Sequence, residues 1–502
     1  MKINQYNYFN KVYIIILLYF FFNFFYFNNF HNNPTNIPEL LYYNNQTIQL
    51  YFPKNKCQKT LYISSYDSDD NISNKYRIKK INMKNKNNFI TFYTSDIFFL
   101  EYNELLSIKG LIRSKYEYGN NNILLYYLNK YIPIKKKQYN NNLFKYQKVY
   151  MFPNASFYFR KDILYSHYYI MKKLFNKDFD YFPETYCYPK EKNIIEKKFK
   201  DYVLNINDLW ILKPSNWYGG NGISFLRTIK NITLKEFVLS KYIQDINLIN
   251  GKKYDIRLYV LISGLKPLRI YFYKEGLVRI ASEIFSLNIN SIKNKFIHLT
   301  NTDVNKFNKN FIKPNNSYSK KANTWNIFMY KTFLKENNID WKFIKLKIED
   351  IIIKSIISVY HNLTLEIEKN NLNDQNYFEI LGFDILLTND FEPKLIEINF
   401  APELAVYNDL EKPIKYNLFI DALNIIGIVP FSRNSKESLN SHLKFNSDIN
   451  EKINNALCEL DRPKGNYELI FPKKENINLY KKYFLNNSKE NIKFWENIQS
   501  LL

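Results

Sequence analysis

Two apolar runs near the end of the chain decide its reading: Phe378-Glu379-Ile380-Leu381-Gly382-Phe383-Asp384 and Lys394-Leu395-Ile396-Glu397-Ile398-Asn399. Both read as strands, over 379–388 and 394–400, since β-rich apolar residues fill them and Thr388-Asn389-Asp390 lies between. Asp384 interrupts the first run. Glu397 and Asn399 interrupt the second, and residues two apart on a strand share a face. A carboxylate inside an apolar strand is costly without a partner. Three oxygen-bearing side chains on rigid strands suit a hard divalent cation, and such sets commonly hold Mg²⁺ on nucleotide phosphates. A half-exposed acidic hairpin with ordinary surface carboxylates fits the same pattern.

Outward from these runs, Trp210-Ile211-Leu212-Lys213-Pro214 reads as a strand that ends at a loop bearing Gly219, Gly220 and Gly222. Ile223-Ser224-Phe225-Leu226 reads as the return strand. Glycines let backbone N–H groups approach phosphates, and Lys213 adds a point charge. No Gly-Lys-Ser/Thr follows, so this is not a P-loop. Strands are expected at 256–263, 268–273 and 276–281. Alternation puts Asp255 and Arg257 on one face, and Arg279 sits on a later strand. Two guanidinium forks at one site suit a phosphate or carboxylate; cross-strand ion pairs are the competing reading. His298, Asn301 and Lys306 follow within one short segment. His298 suits a base or a buried structural role, Asn301 an oxygen at a metal, and Lys306 a phosphate or substrate carboxylate. Helices are expected at 349–369 and, amphipathic, at 414–427, where Gly427 ends the pattern. Hairpins mixed with helices give an α+β fold class.

Composition bounds the rest. The 502 residues allow two to four domain-sized units, and 46% hydrophobic residues allow a sizeable core. The formal charge of +24 predicts an acidic partner: nucleic acid, an anionic membrane or an acidic protein tail. Cys57, Cys187 and Cys458 show neither zinc spacing nor a disulfide framework, so a reducing compartment is expected. Residues 12–27, VYIIILLYFFFNFFYF, form an apolar run preceded by Lys2 and Lys11 and extendable to Phe30. It is short for a spanning helix and reads as an uncleaved anchor, a signal-like segment or a buried extension. Asn-rich stretches at 137–142 and 315–322 read as loops or insertions.

Taken together, these motifs resemble the tubulin tyrosine ligase-like family of the ATP-grasp superfamily. The resemblance rests on FPNASFYFRKDIL (152–164), FPETYCYP (182–189), WILKP (210–214), GGNGI (219–223), INGKKYDIRLYVLI (249–262), PLRIYFYKEGLVRIASEIFS (267–286), HLTNTDVNK (298–306), FEILGFDILL (378–387), LIEINFAPEL (395–404) and YELIFP (467–472). It implies an ATP-grasp fold, with ATP between two α+β lobes and a smaller N-terminal domain. The implied division is a hydrophobic segment at 1–30, an Asn/Lys/Tyr-rich region at 31–150, the ligase domain at 151–475 and a helical tail at 476–502. Lys213, Gly220, Gly222, Ile223, Lys241, Asp255, His298 and Asn301 would line the nucleotide, with Tyr242 and Ile243 as the adenine-side hinge. Arg257, Arg279 and Lys306 would meet phosphates and the activated carboxylate. Asp384, Glu397 and Asn399 would bind Mg²⁺.

The implied activity joins an amino acid, foremost glutamate, to glutamate side chains of tubulin C-terminal tails through an acyl phosphate. Glycine or tyrosine ligation and a non-catalytic microtubule-binding role are the alternatives. Acidic tubulin tails, rather than nucleic acid, become the expected partner of the basic chain. A cytoplasmic place on microtubules is then expected, with membrane contact open through 12–30. The chain departs from the family pattern in the uncharged loop Gly219-Gly220-Asn221-Gly222, in Ser240-Lys241 before the hinge, and in Phe400-Ala401-Pro402-Glu403 after Asn399.

Overall fold

The computed structural model describes residues 146–430 except 315–318, then 448–500, and before these only short stretches, beginning at Gln46. Contacts divide the chain into residues 1–46 and 47–502, and the core lies in the second unit. The apolar run at 12–27, the Asn-rich 137–142 and part of 315–322 lie outside the described residues. Among the described residues, no helix is long and apolar enough to cross a membrane.

A mixed sheet of eleven strands organises this unit. Its middle is built from Lys148–Tyr150 (β1), Lys252–Leu265 (β2), Leu268–Ile280 (β3), Tyr377–Leu387 (β4), Pro393–Asn399 (β5) and Tyr467–Phe471 (β6). β2 pairs antiparallel with β3 on one side and with β4 on the other, and β5 pairs antiparallel with β4. β1 joins β4 in parallel. Strands Ile123–Leu125, Thr91–Thr94 and Ile112–Arg113 extend the sheet beyond it, also in parallel. A separate antiparallel sheet of four strands contains Trp210–Pro214 and Phe237–Lys241 at its centre, flanked by Ser224–Phe225 and Thr185–Tyr188.

Strand alternation gives the large sheet two unlike faces. Ile256, Leu258, Val260 and Ile262 of β2, with Phe383 and Ile385 of β4, are fully buried. They share a core with helix Trp341–Lys369 (α1). That helix turns Ile344, Ile348, Ile352, Ile356 and Leu363 inward, at spacings of four and seven. It begins where the Asp340 side chain accepts from the Lys342 N–H at 2.8 Å. The opposite face changes character along the strands. Its far half is apolar, with Leu261, Tyr271, Tyr273, Phe378 and Ile380 packed with Leu418, Phe419 and Leu423 of helix Glu411–Ile426 (α2). Its near half carries Asp255, Arg257, Arg279 and Asp384.

Several expectations need correction. Residues 268–273 and 276–281 form one strand, Leu268–Ile280, rather than two, because the register shift between Leu258 and Val260 absorbs the Tyr273-Lys274-Glu275 segment. Gly276 is needed there: an added Cβ would lie 2.5 Å from the Arg257 carbonyl oxygen. The helix expected at 349–369 begins eight residues earlier, at Trp341. α2 is not amphipathic in its setting, since every residue from Ile414 to Ile426 is buried. Cys57 and Cys458 form a disulfide across 401 residues of sequence, while Cys187 is free and buried. Position in sequence gives no sign of that pairing, because it depends on long-range packing.

Candidate active site

The antiparallel registers bring the polar half of the sheet into one row. Asp255 lies opposite Arg279, Arg257 opposite Asp384, and Asp384 opposite Glu397. Direct opposition across the regular part of the ladder puts Glu397, and Asn399 two residues on, on the side of Asp384; the register shift begins only beyond Asp384. Arg257 donates through Nε and Nη2 to Asp384 at 2.5 and 3.0 Å. Arg279 donates the same way to Asp255 at 2.8 and 2.5 Å, and its Nη2 also lies 2.9 Å from Asp384 Oδ2. Thr300 Oγ1 donates to Asp255 Oδ2 at 2.9 Å, and Asn399 Nδ2 to Asp384 Oδ2 at 3.4 Å. Both arginines are therefore in cross-strand ion pairs, and both also line the cleft above the sheet. Burial opposes ionisation of Asp384, but the Arg257 and Arg279 guanidiniums outweigh it and hold the carboxyl far below the usual range.

Two adjoining cavities lie over this row. The smaller, about 90 Å³, is lined by Lys213, Gly220, Ile223, Lys241, Tyr242, Ile243, Asp255, His298, Asn301, Arg279, Asp384 and Glu397. Most of the residues expected around a nucleotide are thus together. The volume is below the few hundred Å³ that a ligand pocket needs. The glycine loop closes it: an added Cβ on Gly220 would lie 3.0 Å from Val304 Cγ2 and 3.1 Å from Asn301 Oδ1. Gly222 does not line either cavity. It lies under the Pro214 and Trp217 rings, with φ +67°. The N–H groups of Lys241 and Tyr242 donate to the Glu184 and Leu209 carbonyls, so neither is open to an adenine. The larger cleft, about 1620 Å³, is lined by Arg257, Asn399 and Lys306 and shares Arg279, Asn301 and Glu397 with the smaller one. Lys306 is half-exposed and bonded to Asp303 at 2.7 Å.

Three groups escape the sequence reading. Lys253 donates to the Tyr242 hydroxyl at 3.0 Å, and that hydroxyl is also 3.0 Å from His298 Nδ1. Burial, then the Lys213 charge, lowers the Lys253 pKa to about 7, and Asp255 opposes this. Lys253 is two residues before Asp255 and four before Arg257, so alternation alone places it on their face. Burial and the Lys253 charge lower His298 to about 4, and its Nε2 has no partner among the described residues. Lys161 lies 3.3 Å from Glu397 Oε2 and donates to the Trp217 carbonyl at 2.8 Å, tying β5 to the glycine loop. Nothing in the run Phe159-Arg160-Lys161-Asp162 signals that contact. Thr300, between His298 and Asn301, likewise carries no mark in the sequence. Burial lowers the Lys213 pKa, while the Glu397 charge opposes the shift.

The donor set accommodates a hard cation in a limited way. Among the described residues, no group of three or more His, Cys, Asp and Glu side chains is arranged for a metal. Asp384, Glu397 and Asn399 supply two carboxylates and an amide on one side of paired strands. Mg²⁺ characteristically takes one or two carboxylates and completes its shell with water and phosphate. The set therefore fits Mg²⁺ that arrives with phosphates, and not an all-protein cage.

An α+β protein that lines a deep cleft with lysines, arginines and paired carboxylates is built to hold an anionic ligand. Its motifs and their order then meet an independent comparison: residues 136–436 match the tubulin-tyrosine ligase family, and the chain belongs to that family. It is 36% identical over 289 residues to tubulin polyglutamylase TTLL6 of Mus musculus, covering 56% of this chain and 34% of that protein. It is 30% identical over 334 residues to tubulin polyglutamylase ttll-5 of Caenorhabditis elegans, covering 64% and 46%. With tubulin monoglutamylase TTLL4 of Mus musculus it shares 30% identity over 287 residues, covering 57% and 24%. The chain spans less than half the length of each of these curated relatives.

Proposed function

We propose that the chain is an ATP-dependent ligase that adds glutamate to glutamate side chains of tubulin C-terminal tails. The observation that carries this reading is the row Arg279–Asp255, Arg257–Asp384–Glu397 on one sheet face, open to both cavities. Membership of the family and the glutamylase names of the relatives support it. So does the +24 charge, which attracts an acidic tail most strongly at low salt.

In this reading the architecture is an ATP-grasp fold, with the nucleotide between the four-stranded sheet and the large sheet. Lys213, Lys253 and Arg279 would face the phosphates, and Asp384, Glu397 and Asn399 would hold Mg²⁺. ATP would supply the phosphoryl group that makes a tail carboxylate an acyl phosphate, from which an amine displaces inorganic phosphate to leave an amide. The chain's own residues supply position and charge. Arg257 and Arg279, fixed by their carboxylates, present guanidinium edges to a developing negative charge without having to reorganise. Tyr242, held by Lys253 and His298, fixes the wall of the smaller cavity. Admitting a nucleotide requires the glycine loop to move off Asn301 and Val304. The protein would work on microtubules in the cytoplasm.

Purified protein incubated with tubulin, Mg²⁺-ATP and, separately, labelled glutamate, glycine or tyrosine tests the reading. Label from glutamate on the tails supports it. Label from glycine or tyrosine alone transfers the reading to those ligases, and no label with ATP still bound reduces the protein to a binding role.

A further inference from the structure

We propose that the floor of the large cleft contains a subsite for the side-chain carboxylate of the incoming amino acid, formed by the Tyr259 hydroxyl and the Lys415 ammonium beside Arg257. This deepens the ligase reading and rests on it for the identity of the ligand.

Tyr259 lines the large cleft from β2 yet is 0% exposed, and its hydroxyl has no hydrogen-bond partner among the described residues. A buried polar atom with no partner is rare and calls for an explanation. The charged groups acting on it are Lys415, Arg257, Glu411 and Arg279. Lys415 comes from the first turns of α2 and is itself buried, with Nζ 2.8 Å from Glu411 Oε2 and 2.6 Å from the Ala405 carbonyl. Arg257 spends Nε and Nη2 on Asp384, and Nη1 has no partner among the described residues. Tyr259, Lys415 and Arg257 all line the large cleft, and Lys415 and Arg257 are the two charges that act most strongly on the hydroxyl. A planar carboxylate uses such donors through its two oxygens.

Spacing favours a side-chain carboxylate over an α-carboxylate. Tyr259 follows Arg257 by two residues on the same face, a step of roughly 6.6–6.8 Å along the strand. That is the reach of a glutamate side chain whose amine lies at the Asp384–Glu397 row. An α-carboxylate, bonded directly to the amine-bearing carbon, cannot cover it. Glycine leaves the subsite empty, and glutamine offers it an amide.

Tyr259→Phe removes the hydroxyl and keeps the ring. Equilibrium binding of free glutamate to the full chain should weaken about 10- to 100-fold, the loss of a hydrogen bond to a charged group. The wild type should bind glutamine weakly and Tyr259→Phe should not change that. The melting temperature should be unchanged or higher, since an orphan hydroxyl has been removed. Unchanged glutamate affinity in the variant, or no saturable glutamate binding by the wild type, overturns the subsite. If glutamate binds in a Tyr259-dependent way but is never transferred to tubulin, the ligase reading falls and the subsite stands. Transfer by Tyr259→Phe with the wild-type KM for glutamate has the opposite meaning.

Discussion

Asp384 and Glu397 face each other across paired strands, yet their substitution should have different consequences. Asp384 is 2% exposed and accepts from both arginines, and it is the one carboxylate bonded to Arg257 among the described residues. Asp384→Asn keeps the shape and one acceptor but leaves Arg257 as a buried charge without a counter-charge; Arg279 retains Asp255. Removing one partner of a buried pair costs about 3–5 kcal/mol. With an unfolding entropy of about 2.1 cal/mol/K per residue, the unit of residues 47–502 loses roughly 1 °C per kcal/mol, so the variant should melt about 3–5 °C lower. Glu397 is partly exposed and meets Lys161, at 3.3 Å. Such a pair contributes about 1 kcal/mol or less, so Glu397→Gln should melt within about 2 °C of the wild type. Both variants should lose tail glutamylation by about 10²- to 10³-fold or more, as expected when charge stabilisation at the reacting centre is removed.

Thermal unfolding and labelled-glutamate incorporation, run on the same preparations, separate the two effects. Glu397→Gln that incorporates glutamate within a few-fold of the wild type refutes the placement of that acid at the reacting centre. Asp384→Asn that melts like the wild type refutes the ion-pair account. Acid titration adds a check on sign. A carboxylate held below its unfolded pKa stabilises fully above that value, and the stabilisation is lost as pH falls through the folded pKa. The advantage of the wild type over Asp384→Asn should therefore be constant from pH 7 down to about 4 and shrink only below it.

Lys253, lowered to about 7 from 10.5, binds fewer protons folded than unfolded between those values, so stability should rise with pH across that window; Lys253→Met should flatten the rise in urea-unfolding series. His298, lowered to about 4 from 6.5, should make stability fall as pH drops from about 6.5 to 4, and His298→Gln should remove that component. Gly222→Ala forces a Cβ to 2.7 Å from Pro214 Cγ and Trp217 Cε3 at positive φ, so the loop must shift; ATP affinity measured by calorimetry should fall about tenfold or more. Reduction of Cys57–Cys458, or Cys57→Ser, should cost about 2–5 kcal/mol, read as a lower denaturant midpoint under reducing conditions. Equal midpoints with and without reductant would contradict that bridge.

What is legible in the sequence comes from period two. Alternation places Asp255 with Arg257 and Glu397 with Asn399, and polar residues inside apolar strands mark the open half of the sheet. The same rule extends to Lys253 and Tyr259, at steps of two on either side. They do not stand out, because a lysine near a strand start and a tyrosine in an aromatic-rich chain look ordinary until burial is known. The choice between ligand-facing arginines and cross-strand ion pairs has no answer in one strand's pattern. It depends on the register between strands, which puts Asp384 opposite Arg257 and Asp255 opposite Arg279. The same two arginines that make the ion pairs also line the cleft.

The rest depends on contacts between distant segments. Lys161 reaches Glu397 from far upstream in the chain, and Cys57 reaches Cys458 across 401 residues. No local period encodes either. α2 carries apolar residues on a stripe that reads as amphipathic, but its polar side is also covered. Asn424 bonds both backbone groups of Ile63, Asn417 accepts from the Tyr66 N–H, and Asp421 accepts from the Asn466 N–H. Those polar residues are partners for backbone that arrives from the two ends of the chain, so a helix judged by its own sequence looks half-solvated when it is central. Lys415 belongs to the same category. Its spacing from Glu411 suggests a surface pair, while the structure buries it in the lining of the large cleft.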